Sequence, residues 1–361
     1  MRYYHVYRAL LPFVGAKRAG TDPISRILYR HRARSFALCC FDGEKLCDVQ
    51  TGGMANARTP VEKDAFFRTA SVAKMVSAMM ACHLVREGKL ALGRDAGEYL
   101  GTPLRNPRYP DVPVTVRMLL CHTSSLMDAP AFWQGAKAGA LLPHVLSQDV
   151  FSHNRPGETF QYSNFGAGVL GAVLEGASGM CLDDLLTHVF PGVRATFYPQ
   201  HLPPNAVLAD CFDVLPKRRQ YDALALRKRP CQDKKADPLR HYALAHGNLC
   251  ITCRDLALIG QKAMVDYEEL RIPQVSFGAR DPHITEGLGM FIIRDEELCD
   301  HVVYGHQGLA YGAVNGLFFD PAAGKGFVLL TGGVSVARKF VLADVNRALI
   351  QRLLGGKNHD R

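Results

Sequence analysis

A lysine near the start of an almost wholly apolar helical segment is the feature that most limits how this chain can fold. Residues 66–89 read FFRTASVAKMVSAMMACHLVREGK, and after Ser71 apolar residues cover nearly every face of a helix. The pattern predicts an enclosed helix in which Lys74 is buried. Because a buried ammonium group is strongly unfavourable without partners, the fold must give Lys74 partners or lower its pKa.

Ser71 stands three residues before Lys74, in the first turn of the predicted helix. There its hydroxyl lies near free backbone N–H groups and the positive end of the helix dipole, which favour a developing oxyanion. The i, i+3 spacing puts the Lys74 amine on the same face of the helix. A desolvated amine can act as a base, so the pair predicts a nucleophilic serine. The alternative is a lysine that snorkels from a partly exposed helix, because S-x-x-K alone also arises by chance.

Hairpin patterns occur near both ends of the chain, and helical patterns lie between them. Residues 35–53 have two apolar runs around Asp-Gly, and residues 312–333 repeat this arrangement around Asp-Pro. Residues 287–295 predict a further strand. Residues 335–356 predict a C-terminal helix that ends at two glycines.

We therefore predict an α+β fold, in which an antiparallel β-sheet is flanked by helices and holds an inserted, mostly helical lobe. Residues 1–80 and 243–361 are expected to form the sheet domain. Residues 81–242 are expected to form the helical lobe, with a basic variable segment. The 361 residues, 48% of them hydrophobic, are enough for a large core.

Two later stretches carry further polar triplets. Residues 155–179 present YSN at the start of a Gly/Ala-rich helix, and residues 304–319 present HQG on a glycine-rich strand, where a ligand can approach the backbone closely. In the order SVAK, YSN and HQG, the triplets resemble the S-x-x-K, S-D-N and K-T-G set of the serine β-lactamase and penicillin-recognising superfamily. The resemblance is to its class C-like branch of β-lactamases, esterases, D-amino-acid peptidases and acyltransferases. It extends in order over roughly residues 35–350.

The resemblance implies a catalytic role for three residues. Ser71 would be the acylated nucleophile, and Lys74 its base or proton relay. Tyr162 would be a second base, with its pKa lowered by the neighbouring ammonium group, and would later give a proton to the leaving group.

Four further residues are implied to bind substrate. Asn164 would hydrogen-bond Lys74 and a substrate carbonyl. His306 and Gly308 belong to the third triplet, and His306 would stand close to the tyrosine hydroxyl. The backbone N–H of Leu309, with that of Ser71, would form the oxyanion hole.

Three positions depart from the family pattern. His306 stands where many relatives have lysine, and a mostly neutral imidazole stabilises a tyrosinate or a substrate carboxylate less than lysine does. Ser125 and Asn248 stand where glycine is usual. Asn tolerates left-handed backbone geometry better than Ser, so Ser125 is the poorer local fit.

The resemblance implies a serine hydrolase that forms an acyl-enzyme on a small ester or amide, with no metal and no organic cofactor. The departure at His306 favours an esterase or peptidase over an efficient β-lactamase. The alternatives are penicillin-binding, β-lactamase or acyltransferase activity, or a catalytically weak scaffold or sensing relative. Residues 199–242 match the family least, so substrate choice stays open, as does the oligomeric state.

The charge and cysteine content bear on partners and location. The formal net charge is +9, and residues 215–240 are rich in Lys and Arg. No nucleic-acid motif accompanies this segment, so we interpret it as a solvated basic surface and expect no nucleic-acid partner. The eleven cysteines are an odd number, scattered through predicted elements, which favours reduced thiols in the cytoplasm.

Three other features have ordinary structural interpretations. Residues 1–20 show no convincing cleavage signal, so we interpret them as mature protein with an N-terminal helix, and no apolar run reaches the length of a membrane span. Cys250 and Cys253 form a lone C-x-x-C, which we interpret as two reduced thiols rather than a metal or redox site. His122 is expected to be structural rather than the base of a Ser-His pair.

Overall fold

An eight-stranded antiparallel sheet joins the two ends of the described chain in the computed structural model, which describes residues 22–213, 219–228 and 235–355. The described strands are β1 (Ser35–Asp42), β2 (Gln50–Gly53), β3 (Phe66–Arg68), β4 (Ala195–Thr196), β5 (Cys211–Phe212), β6 (Arg219–Tyr221), β7 (Cys250–Thr252), β8 (Val275–Ser276), β9 (Ile284–Glu286), β10 (Phe291–Ile293), β11 (Val303–Ala310), β12 (Ala313–Asp320), β13 (Lys325–Thr331), β14 (Arg338–Lys339) and β15 (Leu342–Ala343). The order in the large sheet is β2-β1-β13-β12-β11-β10-β9-β8. The N-terminal strand β1 therefore pairs directly with the late strand β13.

Both predicted turns are closed by an aspartate side chain. The Asp42 carboxylate accepts the backbone N–H groups of Glu44 and Lys45. The Asp320 carboxylate likewise accepts the N–H groups two and three residues later, and Asp320 pairs with Lys325 across the β12–β13 hairpin. Aspartate favours such turns because its short side chain replaces a backbone acceptor.

Helices cover both faces of the large sheet. The described α-helices are α1 (Pro23–Arg30), α2 (Val72–Arg86), α3 (Ala96–Leu100), α4 (Val116–Leu120), α5 (Pro130–Ala138), α6 (Leu142–Leu146), α7 (Asn164–Ser178), α8 (Leu182–Val189), α9 (Ala223–Arg227), α10 (Cys253–Asp266) and α11 (Asp344–Leu353). One core lies between the sheet and the pair α1 and α11, and includes Leu28, Phe318 and Leu349. A larger core on the other face contains α2, α7 and α10. The predicted α+β class, with an antiparallel sheet flanked by helices, is confirmed.

Helix α2 is enclosed on nearly every side, which is the consequence of its apolar sequence. Every residue from Val72 to Cys82 is buried. This helix begins directly after the short sheet β4-β7-β3, in which β7 pairs with β3. Because β3 leads straight into the helix, the residues at the start of α2 lie at the junction between the sheets and the helices.

The C-terminal helix is shorter than the sequence pattern predicts. The prediction that it begins at residue 335 was wrong, since α11 begins at Asp344. The preceding residues form the β14–β15 hairpin, in which Phe340 has a positive φ of 54°. A residue in that conformation ends a right-handed helix, so the apolar periodicity of the segment does not extend the helix across it. The strand predicted in residues 287–295 also shortens to β10.

The division into a sheet domain (1–80 and 243–361) and a helical lobe (81–242) stays a prediction. The N-terminal helix predicted within residues 1–20 lies outside the described residues. Among the described helices, none is by itself long and apolar enough to cross a membrane; Asn164–Ser178 and Leu182–Val189 pass that test only as a pair, with a 74° bend between them.

Candidate active site

Ser71 stands at a tight turn between β3 and α2. The preceding residue, Ala70, has a φ of +50°, a left-handed conformation that is strained for a residue with a side chain. The N–H of Thr69 donates to the Leu249 carbonyl, which fixes the turn against the end of β7. Ser71 caps α2, but its side chain makes no capping hydrogen bond. The hydroxyl is therefore left for other partners, and Ser71 lines a cavity.

Lys74 lies one turn further along α2 and is only 3% exposed. Its Nζ donates to Ser71 Oγ at 3.1 Å, Asn164 Oδ1 at 2.9 Å and the His246 carbonyl at 2.7 Å. Three acceptors match the three N–H bonds of an ammonium group. The structure thus brings Ser71, Lys74 and Asn164 together, as the sequence predicts.

The neutral form of the Lys74 amine is much more favourable in the protein interior than it is in water. Burial lowers the pKa of Lys74 to about 7, while the carboxylates of Asp128 and Glu286 oppose the shift and Arg68 adds to it. An amine with this pKa is about half unprotonated at neutral pH. Lys74 is therefore able to accept a proton from Ser71 under ordinary conditions.

Tyr162 lines the same cavity, with its ring centroid 4.9 Å from Lys74 Nζ. Burial raises the pKa of Tyr162 above its usual range, and the hydrogen bond with Ser71 only partly opposes this. The prediction that the ammonium group lowers this pKa was wrong, because burial of the phenol raises the pKa and the charges of Glu286 and Asp128 add to the rise. Tyr162 is thus a neutral phenol that holds its proton.

His306 is buried and also lines the cavity. Its ring stacks on Phe291 with centroids 4.2 Å apart, and Nδ1 lies 2.7 Å from the Gln307 carbonyl, which requires a proton on Nδ1. Nε2 is buried, and within the described residues it has no hydrogen-bond partner. Burial, with the charge of Lys74, lowers the pKa of His306 to about 3. His306 therefore presents a neutral acceptor nitrogen.

Gly308 brings strand β11 against the nucleophile turn. A Cβ atom at this position would lie 2.1 Å from the Thr69 carbonyl oxygen and 3.1 Å from the Ser71 nitrogen. Any side chain would force the strand away from the turn, so glycine is required there. Leu309, the next residue, lines the cavity.

Asp128 is a site residue that the sequence reasoning missed. Its carboxylate accepts the Asn164 Nδ2–H at 2.7 Å and the Phe165 backbone N–H at 2.9 Å. The first bond fixes the orientation of the Asn164 amide, so that its oxygen faces Lys74. Position 128, three residues after Ser125 in a loop, offered no spacing signal, because it meets α7 only in the folded chain.

Glu286 is a second residue that the sequence reasoning missed. It is fully buried on β9, and neither carboxylate oxygen has a hydrogen-bond partner among the described residues. Burial raises the pKa of Glu286 to about 8, while Lys74 opposes the shift. Its charge also acts on Tyr162 and Cys121. A carboxyl group without partners close to the buried lysine is a source of pH dependence at this site.

His122 has a structural position. Its Nδ1 accepts the Ser163 backbone N–H at 3.2 Å, and its ring lies 4.4 Å from that of Tyr162. Burial holds the pKa of His122 well below its usual range. His122 thus supports the start of α7 and the position of the Tyr162 ring.

The two positions where glycine was expected differ from each other. Ser125 adopts a left-handed φ of 62°, so it does occupy glycine-like backbone geometry, and its Oγ accepts from Asn106. Asn248 is not among the residues with positive φ, and it accepts a hydrogen bond from Arg68. The backbone at Asn248 therefore does not adopt the left-handed conformation that would favour glycine.

The cavity at Ser71 has a volume of about 420 Å³. Its walls combine aromatic rings with two arginines: Phe277, Phe291, Phe340, Arg280 and Arg338. A volume of this size suits a small molecule. The two clusters of metal-ligating side chains found in the described part of the chain include no residue of this cavity.

The described part of the basic segment 215–240 makes internal contacts. Arg219 pairs with Asp222, Arg240 pairs with Asp237, and Arg227 donates to three backbone carbonyls. Residues 214–218 and 229–234 lie outside the described residues. The ten cysteines within the described residues are all free thiols, Cys250 and Cys253 among them.

A family model described as Beta-lactamase matches residues 22–352 of the chain. Penicillin-binding protein 4* of Bacillus subtilis (strain 168) is 27% identical over 161 residues, which cover 42% of this chain and 34% of that protein. Esterase EstB of Burkholderia gladioli is 32% identical over 147 residues, covering 35% of this chain and 36% of that protein. The alignments therefore span about a third of each of these relatives.

Solved structures resemble the chain over most of its length. EstCE1, a hydrolase with promiscuous acyltransferase activity, superimposes with a TM-score of 0.71 at 18% identity, covering 97% of this chain and 100% of that one. The D-amino acid amidase from Ochrobactrum anthropi SV3 gives a TM-score of 0.68 at 19% identity, covering 91% and 95%. With the family match, these likenesses confirm the predicted family and the β-lactamase/transpeptidase-like fold.

Proposed function

Because this chain belongs to the Beta-lactamase family, we propose that it is a serine hydrolase that forms an acyl-enzyme on Ser71 with a small ester or amide. The observation that carries the proposal is the buried Lys74 amine, with a pKa of about 7, lying 3.1 Å from the Ser71 hydroxyl. A scaffold has no need for this unfavourable arrangement. Esterase EstB and the D-amino acid amidase are esterase and amidase relatives by name, which supports these two substrate classes.

The proposed reaction begins at Ser71. Neutral Lys74 accepts the hydroxyl proton as Oγ bonds to the substrate carbonyl carbon. The oxyanion that forms accepts hydrogen bonds from the backbone N–H groups of Ser71 and Leu309. This assignment rests on the contact between β11 and the nucleophile turn at Gly308.

Tyr162 is proposed to complete the proton transfer. Because its pKa is raised, it acts as a neutral relay: its hydroxyl gives a proton to the leaving group and receives one from Lys74. The bond to the leaving group breaks and Ser71 carries the acyl group. Water then attacks the carbonyl carbon of this ester and gives a proton to Lys74. The bond from that carbon to Oγ breaks, Oγ takes up the proton, and the acyl group leaves as a carboxylic acid.

The cavity bears on the choice of substrate. Neutral His306 supplies no positive charge, whereas Arg280 and Arg338 line the cavity and form no ion pair with a carboxylate in the described ranges. We propose that His306 accepts a hydrogen bond from substrate through Nε2. The aromatic walls favour an apolar acyl or leaving group. Because His306 is neutral, it does not offer a β-lactam carboxylate the charge that a lysine would, and we propose a small ester as the preferred substrate. A carboxylate on a substrate would instead meet Arg280 or Arg338.

Intact-mass analysis with three reagents tests this proposal. The wild type is expected to form a stable adduct with a fluorophosphonate, to turn over a nitrophenyl acyl ester, and to react slowest with a penicillin. Rapid penicillin hydrolysis would favour the β-lactamase alternative, which the resemblance to penicillin-binding protein 4* supports. Inertness to all three reagents would favour a catalytically weak scaffold.

The pH dependence of the ester reaction follows from Lys74. The unprotonated amine is the active form, so kcat/KM is expected to rise with pH through a midpoint near 7. His306, with a pKa of about 3, does not titrate in that range. A pH–rate profile with a neutral ester measures the midpoint; a rate that falls as the pH rises through 7 would contradict Lys74 as the base.

Glu286→Gln is expected to move that midpoint to lower pH. With a pKa of about 8, only a minor fraction of Glu286 is ionised near pH 7, and that carboxylate raises the pKa of Lys74. Its removal therefore lets the amine lose its proton at slightly lower pH. The pKa of Glu286 is higher in the folded chain than in the unfolded one, so this group destabilises the fold progressively between about pH 4.5 and 8. The variant should therefore lose less stability than wild type as the pH rises from about 4.5 to 8.

The matched control for that variant is the exposed Glu268→Gln, which should change neither property. The pH–rate profile and urea unfolding at two pH values measure both effects. An unchanged midpoint in Glu286→Gln would contradict the effect of Glu286 on the pKa of Lys74.

We propose a cytoplasmic location for the enzyme. The free cysteines of the described residues support it, because reduced thiols persist in a reducing compartment. A small ester, amide or β-lactam-like molecule is the proposed partner, with no nucleic acid.

A further inference from the structure

Three side chains with metal-ligating atoms meet at the far end of α2 from Ser71. His83 and Glu87 stand one turn apart on that helix and its C-cap, and His188 reaches them from α8. Glu87 Oε1 lies 3.3 Å from His83 Nε2 and 2.7 Å from His188 Nε2. All three side chains are partly exposed, so an ion in solution can reach them.

The spacing of these atoms fits a tetrahedral zinc ion. Zn²⁺ binds nitrogen and carboxylate oxygen at about 2.0–2.2 Å, which places neighbouring ligands roughly 3.3–3.5 Å apart. The three ligand atoms here lie within 4.8 Å of one another. Small side-chain rotations therefore suffice to place an ion at their centre.

The chemistry of the cluster is also that of a zinc site. Two imidazoles and one carboxylate are ligands that zinc prefers, and the fourth position would be left to water. The carboxylate is ionised, since hydrogen bonds from His188 and Lys89 lower the pKa of Glu87 to about 2. Lys89 contacts the other oxygen, Oε2, at 2.9 Å, and leaves Oε1 to face the two histidines.

We propose that His83, Glu87 and His188 form a binding site for a divalent ion of the zinc class. The ion would take the place of the direct contact between His188 Nε2 and Glu87 Oε1 and would also bind His83 Nε2. It would tie the C-terminal end of α2 to α8, two elements that otherwise meet through apolar packing.

This site is structural rather than catalytic. His83 lies twelve residues beyond Ser71 on the helix that Ser71 caps, which corresponds to about 18 Å along the axis. The expected consequence of metal binding is stabilisation of the fold, because an ion that binds only the folded chain shifts the unfolding equilibrium.

The test uses the full chain, freed of metal with a chelator and dialysed. Adding zinc in small excess is expected to raise the Tm of wild type by several degrees and to titrate with a dissociation constant in the micromolar range or tighter. The variants His83→Ala and His188→Ala should each lose most of this shift. Cobalt in place of zinc should give wild type, but neither variant, the visible absorption of a tetrahedral site.

A second cluster supplies the matched control. Cys299, His301 and Asp320 also bring ligand atoms within 4.8 Å of one another, and Cys299 belongs to the core between the sheet and the pair α1 and α11. His301→Ala should keep the full zinc response of wild type. Absence of any zinc response in wild type, or a response lost in His301→Ala and kept in His188→Ala, would overturn the proposal.

Discussion

Replacement of Ser71 by alanine is expected to abolish covalent labelling by a fluorophosphonate and to lower kcat/KM for a nitrophenyl ester by about 10³-fold or more. Ser71 Oγ is the atom that we propose receives the acyl group, because this hydroxyl lies in the cavity and accepts a hydrogen bond from the Lys74 amine. Intact mass and ester hydrolysis measure the two effects. The fold should survive, because the Ser71 side chain makes no capping hydrogen bond.

Ser77→Ala is the matched control for this variant. Ser77 lies in the same helix and is buried, but it does not line the cavity, and its hydroxyl has no hydrogen-bond partner within the described residues. It should label and turn over like wild type. Undiminished labelling of Ser71→Ala would show that the nucleophile is another residue, and the proposed function would fail.

Replacement of Lys74 by methionine is expected to lower kcat/KM by about 10²–10⁴-fold, the usual effect of losing a general base. Methionine keeps the length and the apolar part of the side chain and removes the amine that contacts Ser71. The remaining activity should lose its rise through pH 7, because the titrating group is gone. A pH–rate profile separates this result from a simple packing defect.

Stability provides the second measurement on the same variant. Lys74→Met removes a buried group whose charged form is disfavoured, but it leaves the acceptors Asn164 Oδ1 and the His246 carbonyl without their donor. These effects oppose each other, so the variant should stay folded with a Tm close to that of wild type. The exposed Lys63→Met is the control and should keep full activity. Full activity in Lys74→Met would exclude Lys74 as the base.

The part of the site that could be predicted from the sequence is the part whose residues belong to one helix. Ser71 and Lys74 are fixed relative to each other by one helical turn, and the enclosed character of α2 follows from its apolar composition. The two aspartate turns and the strands near both ends of the chain could also be predicted, because a turn residue and the apolar runs beside it lie within a few residues of each other. The family resemblance added Tyr162, Asn164 and His306, which distant segments contribute.

The errors have a common physical origin. The pKa of Tyr162 was predicted from a neighbouring charge, but burial by the surrounding chain decides its direction. The C-terminal helix was predicted from periodicity, but Phe340 adopts a positive φ within the β14–β15 hairpin.

The sequence by itself determined that the Lys74 amine is buried and that the Ser71 hydroxyl lies beside it. Tertiary structure decided what surrounds that amine: the Asp128 carboxylate that orients Asn164, the buried Glu286 and the neutral ring of His306. Spacing along a helix is a local property and can be read from neighbouring residues. Desolvation and charge depend on all the atoms packed around a group, so they arise only when distant segments of the chain meet.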